Sequence, residues 1–280
     1  MTDTDSGRVV VVTGASGGIG QATAVALARR GDRVALLARG EKGLAGAAED
    51  VRAAGGTPLV VPVDVSDAEA VEAAADRVER ELGPVDVWCD VAFSTVFAPF
   101  DQVTTEEYRR VTGVTYLGFV HGTMAALRRV KPRDRGVVVQ TGSALGRRGI
   151  PLQSVYCGAK HAIKGFTESV LTELRHEGSN VRITQVYAPG VDTPQFLDWY
   201  LARNGYSGQL TEADDPPDAP VDLFSPADGP DGRDFGARGR FSDRSWSRDP
   251  QSWVSRYHGA VAALAAAGLP GVAAALHRGR

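Results

Sequence analysis

Hydrophobic and polar positions follow two alternating periods along the first 190 residues. Val9-Val10-Val11-Val12 is an unbroken apolar run, the pattern of a strand buried on both faces. Helical spacing follows from about Gly20 to Arg30. Val34-Ala35-Leu36-Leu37 predicts a second strand, and Leu44 to Ala54 a helix. Leu59 to Val63 predicts a third strand, followed by a helix over Ala68 to Leu82. Val85-Asp86-Val87-Trp88-Cys89 reads as the fourth strand, and Thr105 to Val130 as one long helical stretch. Gly136 to Gln140 predicts a fifth strand, Ser154 to Glu177 a helix, and Val181 to Val186 a sixth strand. Strands that alternate with helices and are apolar throughout belong in a parallel sheet. Right-handed crossovers then put helices on both of its faces. The predicted class is α/β, a doubly wound parallel sheet of six to seven strands. No internal repeat argues for a solenoid.

The periodicity fades after about Tyr206. Residues 1–210 are expected to form the main domain, and 211–280 an irregular C-terminal extension. Residues 211–250 are rich in proline, glycine, aspartate and arginine, as in Asp214-Asp215-Pro216-Pro217-Asp218. No convincing seventh strand appears over 211–258. Ala260 to Leu276 is a small-residue apolar run interrupted by Gly268, Pro270 and Gly271. It predicts an alanine-rich terminal helix packing on the domain or on a neighbouring subunit. Membrane association is the alternative, since about 17 residues is the lower limit for a span, although alanine adds little to insertion.

Composition narrows the function classes. The 280 residues are 43% hydrophobic and 23% charged, which is ordinary for a globular protein. With 31 basic against 34 acidic residues the net charge is −3, giving no long-range pull on nucleic acid. Cys89 and Cys157 are too few for a disulfide framework or a four-ligand zinc site, and the acidic start Met1-Thr2-Asp3-Thr4-Asp5 is no signal peptide. A cytoplasmic location is the expectation. His121 and His161 are isolated and lack metal-ligand spacing, so no metal is expected.

Between the first strand and its helix lies Thr13-Gly14-Ala15-Ser16-Gly17-Gly18-Ile19-Gly20. Gly14 permits the turn, Gly18 lets the backbone approach a pyrophosphate, and Gly20 allows close helix–strand contact. The helix N-terminus adds free N–H groups and a positive dipole end. This is the architecture of a Rossmann-like dinucleotide turn. The second strand ends Leu37-Ala38-Arg39-Gly40. It has no carboxylate to repel a 2′-phosphate, and the Arg39 fork can pair with one, so NADP(H) is favoured over NAD(H). Asp64, after the third strand, is placed to meet the adenine edge, with a helix cap the alternative for it or for Ser66.

Tyr156-Cys157-Gly158-Ala159-Lys160 puts a phenol and an ammonium at i and i+4 on one helix face. A cation beside a phenol favours the phenolate and lowers its pKa from about 10. Ser143 follows the fifth strand, where its hydroxyl can bond a substrate oxygen beside the tyrosine.

Taken together, Thr13-Gly14-x-x-x-Gly18-x-Gly20, Asp64, Ser143, Tyr156, Lys160 and Pro189-Gly190-Val191-Asp192-Thr193 resemble the short-chain dehydrogenase/reductase family in order and spacing. The resemblance covers roughly residues 8–200. It implies Tyr156 as catalytic acid/base, Ser143 as the residue orienting the substrate oxygen, and Lys160 as the ribose-binding residue that tunes Tyr156. The implied cofactor contacts are Thr13, Gly14, Ser16, Gly18, Ile19, Gly20, Arg39, Asp64, Val65 and Ala92, then Tyr156, Lys160, Pro189, Gly190, Val191 and Thr193. The implied activity is NADP(H)-dependent interconversion of a carbonyl and a secondary alcohol by a homodimer or homotetramer.

The sequence departs from the family in three places. Asp90-Val91-Ala92-Phe93 stands where the family has Asn-Asn-Ala-Gly. Asp90 still accepts hydrogen bonds, Val91 does not, and Phe93 narrows the pocket or lines it with an apolar ring. Thr115 takes the position of the helix-borne catalytic asparagine; the main-chain carbonyl survives that replacement, but an asparagine-shaped helix distortion need not. The late strand is missing. Phe196, Trp199, Tyr200 and Leu201 could roof an apolar substrate or pack locally. Two other readings stay open: a dinucleotide-binding sensor or scaffold with little turnover, and a non-redox enzyme using the same Tyr–Lys pair.

Overall fold

The structure, a computed structural model, describes residues 7–187 and 223–226. All of them belong to one compact unit, Met1–Gly239; a second unit, Arg240–Arg280, lies outside the described residues. The expected C-terminal extension, its alanine-rich helix and the Pro189–Thr193 segment therefore also lie outside them, apart from 223–226.

Six strands form one parallel sheet in the order β3-β2-β1-β4-β5-β6. They are β1 (Val9–Thr13), β2 (Arg33–Ala38), β3 (Thr57–Pro62), β4 (Val85–Asp90), β5 (Val137–Thr141) and β6 (Arg182–Val186). The helices between them are α1 (Gly18–Ala28), α2 (Glu41–Ala53), α3 (Ala68–Leu82), α4 (Thr105–Val111), α5 (Gly118–Val130) and α6 (Ser154–His176). The predicted doubly wound Rossmann-like fold is the one observed.

The valine run explains the layering. Val9 to Val12 are all fully buried, and alternate residues feed opposite faces. Val9 and Val11 join Ala35, Leu37 and Trp88 against α3, α5 and the end of α6, through Val78, Ala126 and Leu174. Val10 and Val12 join Val34 and Leu36 against α1 and α2, through Ala24, Leu44 and Val51. Strand order reverses between β1 and β4, so their carboxyl ends part and leave a crevice.

The long helix expected over 105–130 is interrupted. After α4 the chain makes a π-helical turn, Thr112–Leu117, before continuing as α5. Thr115 supplies the reason. It is fully buried, its Oγ1 accepts the Ser94 N–H at 2.9 Å, and its hydroxyl donates to the Ser94 carbonyl at 2.7 Å. The helix is thus pinned to the loop after β4, and the distortion exists without asparagine. A capping box between Thr104 and Glu107 starts α4. At α3 the cap is Asp67, which accepts from Ala70 N, rather than Asp64 or Ser66.

Candidate active site

The first turn is built by steric necessity. Gly14 has φ +67°, and a Cβ on it would stand 2.8 Å from Ala92 Cα. A Cβ on Gly20 would stand 2.0 Å from the Gly14 carbonyl oxygen. Gly18, at φ +52°, would meet nothing within 4 Å, so its backbone faces open space. Thr13 does not line that space. Its buried Oγ1 accepts from the N–H of Val91 and of Ala92, at 2.9 and 3.1 Å, and so ties the loop after β4 to β1.

Above these strand ends lies a cleft of about 480 Å³. Ser16, Ile19 and the glycines line it together with Arg39, Asp64, Val65 and Ala92 to Ser94. Ser94 Oγ is buried there with no hydrogen-bond partner among the described residues. A glycine turn open at Gly18, an orphaned hydroxyl and an arginine in one lining fit a polar, phosphate-bearing nucleotide.

Arg39 and Asp64 are held by partners that sequence periodicity does not reveal. Arg39 Nη1 donates to the Leu223 carbonyl at 3.3 Å. Arg110 Nε donates to the same carbonyl at 2.8 Å, its Nη1 to Ser66 Oγ at 2.8 Å, and its Nη2 to Asp64 Oδ2 at 2.6 Å. Burial works to raise the Asp64 carboxyl, but the bonds from Arg110 and Ser66 outweigh it and hold the group below the usual carboxylate range. Arg110 carried no sequence signal, because its partners lie 44 to 113 residues away.

The structure brings Ser143, Tyr156 and Lys160 together at the end of β5. Ser143 hydrogen-bonds the Tyr156 phenol. Lys160 is 3% exposed, and its Nζ donates to the Thr141 carbonyl at 2.8 Å. Three rings surround that ammonium, those of Phe119 at 4.5 Å, Tyr156 at 5.6 Å and Phe93 at 6.0 Å. Phe93 meets Tyr156 edge-on with centroids 5.8 Å apart and also lines the cleft.

One electrostatic expectation is corrected. The Tyr156 pKa stands above its ordinary value here, not below it. Burial raises the phenol above its ordinary value, and the Ser143 bond pulls the other way without overcoming it. The Lys160 ammonium is turned to the Thr141 carbonyl, and burial pushes its own pKa down to about 8. His121 bonds the Val65 carbonyl and His161 the Cys157 carbonyl. Among the described residues no cluster could hold a metal.

The short chain dehydrogenase family profile matches residues 8–201. The chain belongs to the short-chain dehydrogenase/reductase family. It is 35% identical over 188 residues to the uncharacterized oxidoreductase YxnA of Bacillus subtilis, covering 67% of this chain and 53% of that protein. The chain thus matches little more than half the length of that relative. An alcohol dehydrogenase of Thermococcus sibiricus, complexed with 5-hydroxy-NADP, is 32% identical with a TM-score of 0.61, over 66% of this chain and 77% of that one. A family member from Burkholderia phymatum in complex with NAD is 25% identical with a TM-score of 0.62, over 73% and 81%. Both nucleotides occur on this fold.

Proposed function

We propose that the protein is an NADP(H)-dependent oxidoreductase interconverting a carbonyl and a secondary alcohol, with residues 1–210 as its catalytic domain. The observation that carries the reading is the Ser143–Tyr156 hydrogen bond with Lys160 one helical turn on, beside the glycine-walled cleft. Gly14, Ser16, Gly18, Ile19 and Gly20 would hold the pyrophosphate side of the cofactor. Asp64, Val65 and Ala92 would line the adenosine and ribose path. Pro189, Gly190, Val191 and Thr193 are proposed to flank the nicotinamide. Arg39 in the cleft lining, with no carboxylate at Ala38 beside it, supports a 2′-phosphate and hence NADP(H).

When bound, a reduced nicotinamide supplies hydride to the carbonyl carbon. Tyr156 donates its phenolic proton to the carbonyl oxygen, a role for which a neutral, raised phenol is the correct form. Ser143 donates a hydrogen bond to that same oxygen and polarises it. Lys160 holds the ribose and presents positive charge to the phenolate left behind. Thr115 contributes by holding the Ser94 loop against the π turn. Phe93 gives the substrate side an apolar wall.

The site is proposed to serve a small molecule in a cytoplasmic homodimer or homotetramer. Exposed Phe100, Tyr108 and Leu117 around α4 support self-association. No helix among the described residues is long and apolar enough to cross a membrane. The test is a screen of ketones with NADPH, followed by absorbance. Tyr156→Phe is expected to lower kcat by about 10² or more with cofactor binding retained. Turnover surviving that substitution would refute the assignment.

A further inference from the structure

A short piece of chain well beyond β6 reaches both halves of the site. Leu223 to Pro226 lie past residue 201, where the family match ends. Leu223 is 5% exposed. Its side chain joins a small apolar cluster with Val111 at the end of α4 and Val155 at the start of α6, and Val96 packs against them. Val155 directly precedes Tyr156. The carbonyl of the same leucine accepts Arg110 Nε at 2.8 Å and Arg39 Nη1 at 3.3 Å. Three residues on, Pro226 lines the cleft together with Arg39 and Asp64.

The two guanidiniums differ in what they face. Each nitrogen of Arg110 has a partner: Nε the Leu223 carbonyl, Nη1 the Ser66 hydroxyl and Nη2 the Asp64 carboxylate. Its side chain is 15% exposed and takes no part in the cleft lining, whereas Arg39 does line the cleft. A carbonyl oxygen has two lone pairs, and here two cations that would otherwise repel each other share them. The Asp64 carboxylate, 2.6 Å from Arg110, offsets that repulsion. A guanidinium bears five N–H donors, so the bond from Nη1 orients the Arg39 fork without exhausting its capacity for a phosphate.

We propose that Leu223 to Pro226 form part of the cofactor site, and that the Leu223 carbonyl, anchored by Arg110, sets the Arg39 fork for a 2′-phosphate. Leu223 and Arg110 are then positioning residues for cofactor choice that act through Arg39. The seat of the Leu223 side chain between α4 and α6 fixes where its carbonyl stands. A 2′-phosphate then meets an arginine already held, so less side-chain freedom is lost on binding. NAD(H) has no phosphate at that place and gains nothing from the arrangement. The effect on cofactor choice rests on the reading above that Arg39 meets a 2′-phosphate; the seating of the segment does not.

The test uses the full chain and needs no substrate. Cys89 and Cys157 are buried, so a thiol-reactive fluorophore on Ser225→Cys, an exposed position, reports whether the segment is seated. Its anisotropy is expected to fall in Leu223→Asp, which puts a charge into the apolar cluster, and to fall less in Leu223→Ala. Calorimetry on the unlabelled proteins then measures NADPH and NADH. In Leu223→Asp the preference for NADPH over NADH is expected to shrink about tenfold, with Leu223→Ala intermediate and Leu223→Met close to the unmodified protein. In an Arg39→Glu background the same Leu223 substitutions are expected to leave the ratio unmoved. A preference that survives release of the segment, or a label indifferent to Leu223→Asp, would overturn this proposal alone. An unmodified chain without a preference for NADPH would overturn it together with the cofactor reading. Should Leu223→Asp fail to fold, Leu223→Ala carries both readouts.

Discussion

Side chains with hidden partners decide this site. Thr115 is the sharpest case, because one hydroxyl satisfies both the N–H and the carbonyl of Ser94. Thr115→Val keeps the shape and strands both groups in a buried place. It is expected to cost about 2 kcal/mol or more, read as a lowered denaturant midpoint, while Thr115→Ser should retain more of the stability. The sequence could show that a threonine occupied this position, but not what its hydroxyl touched. The same holds for Thr13, whose position in the turn suggested a ligand contact and whose hydroxyl instead anchors Val91 and Ala92. Tyr156 and Lys160 were legible because helical spacing alone puts them on one face. Their ionisation was not legible, because it depends on burial and on the Thr141 carbonyl.

Among the elements, the strands were the most readable. Doubly buried strands must be apolar on both faces, and Val9 to Val12 satisfies that with four valines. The π turn between α4 and α5 was unreadable, since Val111, Val114 and Phe119 continue an apolar helical pattern through it. Glycines on helices show how local sequence and packing part company. Gly122 faces Asp90 and Trp88, whereas Gly165 on α6 faces nothing within 4 Å. Gly122→Ala is expected to push α5 off β4 and cost about 1–3 kcal/mol. Gly165→Ala is expected to stabilise the helix by about 0.5–1 kcal/mol. Paired denaturant titrations compare the two, and equal effects would show that the α5–β4 contact is not tight.

For the molecule as a whole, the buried Asp90 carboxyl and the buried Lys160 ammonium each make stability depend on pH. The folded form raises the Asp90 pKa from 3.8 to about 8, so between those values it binds a proton that the unfolded chain has released. That contribution is present below about pH 4 and is lost as pH rises toward 8. Lys160 has the opposite sense. Its pKa falls from 10.5 to about 8, so stability recovers as pH rises between those values. Unfolding free energy is therefore expected to decline from pH 5 to 8, at no more than about 1.4 kcal/mol per pH unit for one proton, with a matching fall in melting temperature. The double variant Asp90→Asn/Lys160→Met is expected to flatten the curve. An unchanged slope in that variant would trace the dependence to other groups.

Cofactor choice is also a whole-molecule property, since it joins the turn after β1 to the end of β2 and the loop after β3. Calorimetric titration of NADPH and NADH against the purified full chain tests the central claim most directly. NADPH is expected to bind at least about tenfold more tightly, a difference of 1.4 kcal/mol, and to lose that preference in Arg39→Glu. Equal binding of the two nucleotides, or of neither, would contradict the account.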